Sequence, residues 1–335
     1  MSLDFQKIVK EADKMEMFLL VSEQLLMMLI LMAVGFILSK RKIIPENAGT
    51  VVSKLENYVF APALYMVTQF NNCSVDNFLN NSSLILYGLA IIIVAVALAY
   101  PLSKLFIKNP KNDMALDYQR NIYKYALTFG NFGYMGNFLV LGIWGDEALS
   151  KYLMFTFFIS VVCYSWGIYI LIPKGNGTMW QNLKKGLTAP PIIALVIGII
   201  GGLLNVKAYM PAFAMTALDN ASKCMGPAAM LLAGIVIGGY DFRELLKNKK
   251  VYIVATLRMF VIPAVFILTL HILGVSREII VFTLVAFAAP LGMNTIVYPA
   301  AYGGDTKTGA SMTMISHVLS VITIPVMYYL FVILL

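Results

Sequence analysis

Phe129-Gly130-Asn131-Phe132-Gly133-Tyr134-Met135-Gly136-Asn137 and Ala288-Ala289-Pro290-Leu291-Gly292-Met293-Asn294-Thr295 decide how this chain is read. Each run crowds helix breakers into the middle of a longer apolar stretch. Gly costs about 1 kcal/mol in a helix interior and Pro about 3 kcal/mol. Pro290 also lacks an N–H and clashes with the preceding turn. A helix interrupted at such a run frees backbone N–H and C=O groups. The start of its second half then carries partial positive charge and unpaired N–H donors, a ready place for a carboxylate. Asn131 and Asn294 add amide groups at the same level, and neither run contains Asp or Glu. An anion would meet no like charge there, and a bare cation would find no counter-charge. One run alone is as readily a small-residue packing motif. Two in corresponding places favour a site.

The surroundings of these runs fix the solvent. Of 335 residues, 60% are hydrophobic and 13% charged, and the mean hydropathy is +0.80. An average soluble domain is about 45–50% apolar and about 25% charged. This much apolar surface calls for a bilayer as solvent. The net charge of +8 does not make nucleic acid a partner, because the cations fall between apolar runs and not in one patch. Cys73, Cys163 and Cys224 are scattered, and His271 and His317 have no metal-type spacing. No H-E-x-x-H, no G-x-S-x-G and no buried aspartate pair points to an intramembrane enzyme. No catalytic, metal or cofactor site is expected. Residues 1–17 mix Lys with acidic residues, and the apolar run after them is too long for a signal peptide; they read as a surface segment.

A membrane-crossing helix needs roughly 20 mostly apolar residues. Ten stretches meet this, at 18–39, 50–70, 82–107, 121–142, 150–172, 189–205, 214–240, 250–273, 278–302 and 309–334. Spans two, four, seven and nine are the least apolar and should face protein or a cavity. With ten spans, 17 of the 25 cations fall to one side and 7 to the other, with Arg258 inside span eight. The positive-inside bias puts the first side in the cytoplasm and both termini outside a multi-pass cell (plasma) membrane protein.

Weak internal repeats run through the chain. Ile159-Ser160 recurs as Ile315-Ser316, Pro62-Ala-Leu as Pro227-Ala-Ala, and Gly130-Asn131-Phe132-Gly133 aligns with Ala289-Pro290-Leu291-Gly292. The offsets are 156, 165 and 159 residues. Five spans per half force the second half (189–335) to enter upside down relative to the first (18–172), with 173–188 as a cytoplasmic linker. The expected fold is therefore all-α: ten transmembrane helices as two inverted five-helix repeats whose broken helices four and nine cross. Inverted repeats with a midplane site are a signature of secondary transporters.

Outside the breaks, Arg258 reads as an anion attractor, as a partner for Glu56 at similar depth, or as a snorkelling side chain. Asp219 and Lys223 are spaced to pair on one helix face. His317 reads as packed or hydrogen-bonded before it reads as a proton relay, and Ser316 and Thr313 as bonded to backbone carbonyls. Trp144, Trp166 and Trp180 read as interface anchors.

Several of these runs resemble one family. Gly130-Asn131-Phe132-Gly133-Tyr134-Met135-Gly136 resembles the fourth-helix motif of the auxin efflux carriers. Asn57-Tyr-Val-Phe-Ala-Pro62-Ala-Leu64 resembles their second helix, Gly226-Pro227-Ala-Ala-Met-Leu-Leu-Ala-Gly234 their seventh, Leu257-Arg258 to Pro263 their eighth, and Ala289-Pro290 to Asn294 their ninth. The resemblance covers about residues 18–335. It implies a ten-helix inverted-repeat fold with crossing helices four and nine, and transport of small organic anions: auxin in plant members, dicarboxylates such as malate or malonate in bacterial ones. The linker is short, as in a compact microbial member, and Asn131 is followed by Phe132 where the plant carriers have Pro.

The expected activity is thus efflux of a small organic anion by alternating access. A bundle of spans one, two, six and seven would move like an elevator against the crossover bundle. Substrate contacts are expected from Gly130, Asn131, Gly133, Tyr134, Pro290, Gly292, Asn294 and Arg258. Coupling to H⁺ or Na⁺ and a homodimer through span two or seven stay open. So do a sodium-coupled symporter of the bile-acid type and a non-transporting sensor. A cation/proton antiporter would place Asp or Glu near the breaks.

Overall fold

The computed structural model describes residues 14–108, 113–173 and 178–333. The predicted surface segment 1–17 lies outside them except for residues 14–17, which open the first helix. Lys7, Lys10, Lys111 and Lys174, counted above for orientation, lie outside as well. Among the described residues the chain is helical, with one isolated β-bridge and no strand.

Helix occupies each of the ten predicted stretches. The first is α1 (Lys14–Lys40). Next, α2 runs from Ala48–Leu55 through a π-helical turn, Glu56–Phe60, into Ala61–Asn72. Then come α3 (Val75–Ser103), α4 (Met114–Thr128), α5 (Phe132–Phe155) and α6 (Phe157–Leu171). The linker contains α7 (Met179–Leu187), opened by a capping box between Thr178 and Gln181. The remainder is α8 (Pro190–Leu203), α9 (Ala212–Gly238), the short α10 (Phe242–Leu246), α11 (Lys249–Ile272), α12 (Arg277–Ala288), α13 (Asn294–Tyr302) and α14 (Lys307–Val332).

Five helices are long and apolar enough to cross a membrane: the part of α1 from Phe18, together with α3, α9, α11 and α14. The pair α5 and α6, bent by 53° at its break, makes up to a sixth. The chain is a multi-pass membrane protein. The other stretches fall short for a physical reason. Those holding the breaker runs are cut in two, α8 has only 14 residues, and α2, though long, carries Lys54, Glu56, Asn57, Gln69, Asn71 and Asn72 and is too polar.

Two local features were not foreseen. Span five does not wait for residue 150. Gly145, at φ 83° and ψ −175°, turns the chain in a region of backbone space that essentially only Gly visits, and helix resumes at once. Secondly, α2 and α11 each widen into a π-turn, Glu56–Phe60 and Leu257–Val261. Pro62 and Pro263 follow two residues behind these turns. A helical Pro ring collides with the carbonyl four residues back, and widening the turn moves that carbonyl aside.

Small residues set the tightest helix contacts. A Cβ on Gly234 of α9 would lie 1.9 Å from the Met32 carbonyl oxygen of α1, and one on Gly35 would lie 2.2 Å from that of Leu231. Likewise α8 lies on α2, where a Cβ on Gly202 would stand 2.5 Å from the Gln69 carbonyl oxygen. Backbones this close gain dispersion contacts that lipid cannot offer.

Polar contacts cluster at the two ends of the helices. At one end Lys40 Nζ donates to the Tyr240 carbonyl (3.2 Å), Lys250 Nζ to that of Phe106 (2.8 Å), and Lys307 pairs with Glu244 (2.5 Å). At the other, Asp146 accepts from Thr68 Oγ1 (2.7 Å), Asn71 Nδ2 (3.2 Å) and Asn72 Nδ2 (2.8 Å). Beside it Ser150 Oγ donates to Gln69 Oε1 (2.9 Å), and Lys151 pairs with Glu278 (3.4 Å). Asp219 and Lys223 pair at 2.6 Å on the surface of α9.

The glycine contacts give a direct test. Gly234→Val drives side-chain atoms into the Met32 backbone, at a cost of about 3 kcal/mol or more. Gly239→Ala, whose Cβ would stand 3.5 Å from its nearest neighbour, costs little. Thermal unfolding of the two variants in detergent should separate them clearly, with only Gly234→Val losing stability.

Candidate functional site

The two breaker runs are real interruptions, and they meet. Helix α4 ends at Thr128, Phe129 is extended, and helix resumes at Phe132. Helix α12 ends at Ala288, Ala289 is extended (φ −56°, ψ 144°), and α13 starts at Asn294. Between them Gly130 and Leu291 form an antiparallel bridge, and the Asn131 N–H donates to the Pro290 carbonyl at 2.7 Å. Pro290 loses nothing here, because the crossover uses its C=O. Gly130 is required by space. A Cβ there would stand 2.7 Å from the Ala289 carbonyl oxygen and 3.1 Å from Arg258 Nη2. Gly292 is less constrained, with 3.4 Å to its nearest neighbour.

Further backbone groups at the breaks are met by side chains, some from neighbouring helices and some from α5 itself. Leu291 N–H donates to Ser316 Oγ (2.9 Å) on α14. Tyr152 Oη donates to the Phe132 carbonyl (3.2 Å). Asn137 Nδ2 donates to the Gly133 carbonyl and to Tyr65 Oη. Arg258, 1% exposed, donates to the carbonyls of Phe287 and Ala286 and lies over the Phe287 ring, 4.8 Å from its centroid. It therefore caps the negative end of α12, where a cation is stabilised by the helix dipole. This corrects two of the readings above. Arg258 does not snorkel, and it does not pair with Glu56. Glu56 is fully buried on α2, and neither of its oxygens accepts a hydrogen bond.

Each break's asparagine is held by the other half of the chain. Asn131 Nδ2 stands 3.4 Å from His317 Nε2 on α14, while His317 Nδ1 lies 2.7 Å from the Thr313 carbonyl. A carbonyl can only accept, so the ring proton sits on Nδ1 and Nε2 accepts from Asn131. Asn294 Nδ2 donates to Tyr125 Oη of α4 (2.7 Å), which in turn contacts Cys163 Sγ of α6 (3.1 Å).

A cavity of about 30 Å³ sits at the crossover. Gly130, Asn131, Gly133, Tyr134, Gly292 and Asn294 line it, as do Tyr65, Ser160, Cys163, Tyr164 and Met293. Of the eight predicted contacts, Pro290 is in the bridge and Arg258 stands behind it. None of the lining residues is a carboxylate, and no metal-holding group of His, Cys, Asp or Glu occurs among the described residues. The donors on offer are hydroxyls, amides and the N–H groups of two helix starts, which suits a negative guest. The space holds a water or two, so an organic anion needs the walls to part. A wider cleft of about 510 Å³ lies elsewhere, between the start of α4 and Gly303–Asp305, and does not reach the breaks.

Sequence reasoning placed the breaks but not their supports. Ser316 and His317 sit among other polar residues of α14, such as Ser311, Thr313 and Ser320, and nothing local singles them out. The Ile-Ser repeat that matches Ser316 to Ser160 did hold a signal, since both residues lie against the crossover. Trp144, read as an interface anchor, is 6% exposed and packs on Tyr328, 6.1 Å between ring centroids.

Ser316→Ala removes the only acceptor described for a buried backbone donor, which costs about 1–3 kcal/mol. Ser320→Ala, which gives up a bond from the hydroxyl to its own helix's His317 carbonyl, should change little. Unfolding in detergent measures both, and equal stabilities would contradict the role given to Ser316.

Residues 20–182 and 178–328 match the membrane transport protein family. Among curated proteins, the uncharacterized transporter MJ1031 of Methanocaldococcus jannaschii is 25% identical over 306 residues, 89% of this chain and 95% of that protein. The uncharacterized transporter YfdV of Escherichia coli K12 is 22% identical over 319 residues, 91% of this chain and 96% of its own length. The matched segments span nearly all of the sequence on both sides of the crossover, and the chain belongs to the membrane transport protein family, the auxin efflux carrier family that its broken-helix motifs resemble.

Proposed function

We propose that this transporter is a secondary carrier for small organic anions, mono- or dicarboxylates, which bind at the crossover and reach either side by alternating access. One observation carries the reading: two helix interruptions pair backbone to backbone around a cavity lined by amides and hydroxyls among apolar groups and free of carboxylates. Helix starts beside Asn131 and Asn294 aim positive dipole ends at that point, and Arg258 adds a buried cation behind it.

The reading includes ten crossings arranged as inverted halves, 18–172 and 189–335, joined by 173–188. Several observations support it. The fifth helix of each half touches the crossover, through Ser160 and Cys163 in one and Ser316 and His317 in the other. The loop contacts described above join only residues assigned to the same side. Lys40, Lys250 and Lys307 contact cytoplasmic-side partners, whereas Asp146 and Lys151 contact outer-side ones. On this reading both termini lie outside the plasma membrane. The moving bundle is α1, α2, α8 and α9, knit together by its glycine contacts, and the crossover bundle is the rest. An anion leaving alone is driven by about 2.3 kcal/mol per charge per 100 mV of inside-negative potential.

Purified protein in liposomes, offered a panel of radiolabelled mono- and dicarboxylates, tests the reading. Saturable carboxylate flux is expected. Asn131→Ala and Asn294→Ala each remove one amide from the site, and flux should fall about 5- to 100-fold, the equivalent of roughly 1–3 kcal/mol. Full activity in both variants, or flux of Na⁺ alone, would overturn the assignment.

A further inference from the structure

Glu56 has no task in the site as described, yet it is the most conspicuous polar group outside it. It lies eight residues into α2 from Ala48, roughly 12 Å from the helix end at 1.5 Å per residue. It is 0% exposed, and both carboxylate oxygens lack a hydrogen-bond partner. It opens the π-turn Glu56–Phe60, a distortion often found at functional positions.

Its neighbours leave the charge uncompensated. Arg258, at similar depth, is committed to the Ala286 and Phe287 carbonyls. On α9, the acid–base pair Asp219–Lys223 is exposed and closed on itself, and Cys224 is exposed too. Helix α8, Pro190–Leu203, carries no titratable side chain. Among the described residues, the phenols of Tyr65, on the same helix, and Tyr134, on α5, feel its charge, while Lys54, two residues back on the same helix, is exposed. Both tyrosines line the crossover cavity. A bare carboxylate in apolar surroundings without donors is far costlier than the acid. A metal ion in its place would want several further oxygen ligands, and no such group exists among the described residues.

We propose that Glu56 is a proton-carrying site that couples proton movement to the transport cycle. In the arrangement described it is the neutral acid and stays so as it crosses with substrate; after release it crosses back as the carboxylate. When the walls at Tyr65 and Tyr134 part to admit substrate, water reaches the same side chain. The acid O–H bond then breaks, and the proton passes to water as hydronium. On the opposite side hydronium returns a proton to the carboxylate and leaves water. A proton travelling with a monocarboxylate cancels its charge, so such flux follows the pH gradient; a dicarboxylate keeps one net charge. The proposal rests on the carrier reading above, but its test separates the two.

The full-length protein is reconstituted with a pH-sensitive dye in the lumen, and radiolabelled malate is supplied outside. Malate entry should bring a matching luminal pH change. In Glu56→Gln, a neutral near-isostere, malate should still move while the pH change is lost. Retention of the pH change in that variant would refute the role, as would wild-type malate flux without one or flux that requires Na⁺. Absence of any carboxylate flux in the wild type counts against the carrier reading instead. Glu56 is then decided by infrared difference spectra of wild type minus Glu56→Gln at neutral pH. A protonated-carboxyl C=O band is expected, and ionised-carboxylate bands in its place would overturn the proposal. If the variant does not fold, the wild-type band and its shift on transfer to D₂O serve the same purpose.

Discussion

Inside hydrocarbon there is no water to accept a stray backbone N–H or donate to a stray C=O. The same shortage governs the buried interior of this molecule, where two helices stop. They can do so because the interruptions answer one another, Asn131 N–H to Pro290 C=O across the Gly130–Leu291 bridge. Most of the other unusual residues nearby follow from that pairing. Gly130 keeps the backbones close, Pro290 spends its missing donor where none is needed, Ser316 takes the Leu291 N–H, and Arg258 covers the open end of α12.

The same arrangement ties the two halves of the chain together at side-chain level. Asn131 comes from the first half but is held by His317 of the second, and Asn294 comes from the second but is held by Tyr125 of the first. Neither amide can reorient without disturbing a helix of the opposite half. A guest that bonds to either one therefore bears on both.

Much of this was legible because helix breakers are costly in an apolar run. Gly130, Asn131, Pro290 and Asn294 stood out on that ground alone, and they do meet. Ser316 and His317 were legible as hydrogen-bonded residues but not as supports of the crossover, since α14 holds several Ser and Thr and the partners lie far away in sequence. Depth proved a poor guide to pairing. Glu56 and Arg258 sit equally far into their helices, yet Arg258 turns to α12, because pairing also requires facing surfaces. The π-turns were missed for a related reason. Pro62 and Pro263 announce a disturbance, but a kink, a break and a widened turn look alike in sequence. Ten apolar stretches were counted in sequence, whereas five or six helices are long and apolar enough to cross, because a stretch cut by breakers cannot be told in sequence from an unbroken one.

Helices α2 and α5 touch through polar groups at two heights. Near the rim, Thr68, Asn71 and Asn72 hold Asp146 and Gln69 holds Ser150; deeper, Tyr65 meets Asn137. Two rods bolted at two points form a braced frame, which neither pivots nor slides until a bolt is undone. The rim fastening has more hydrogen bonds and is the stronger of the two, while the deep one is a single bond beside the crossover. Any relative sliding of these rods must therefore begin by letting go at depth, so disturbance at the cavity wall loosens the frame from within.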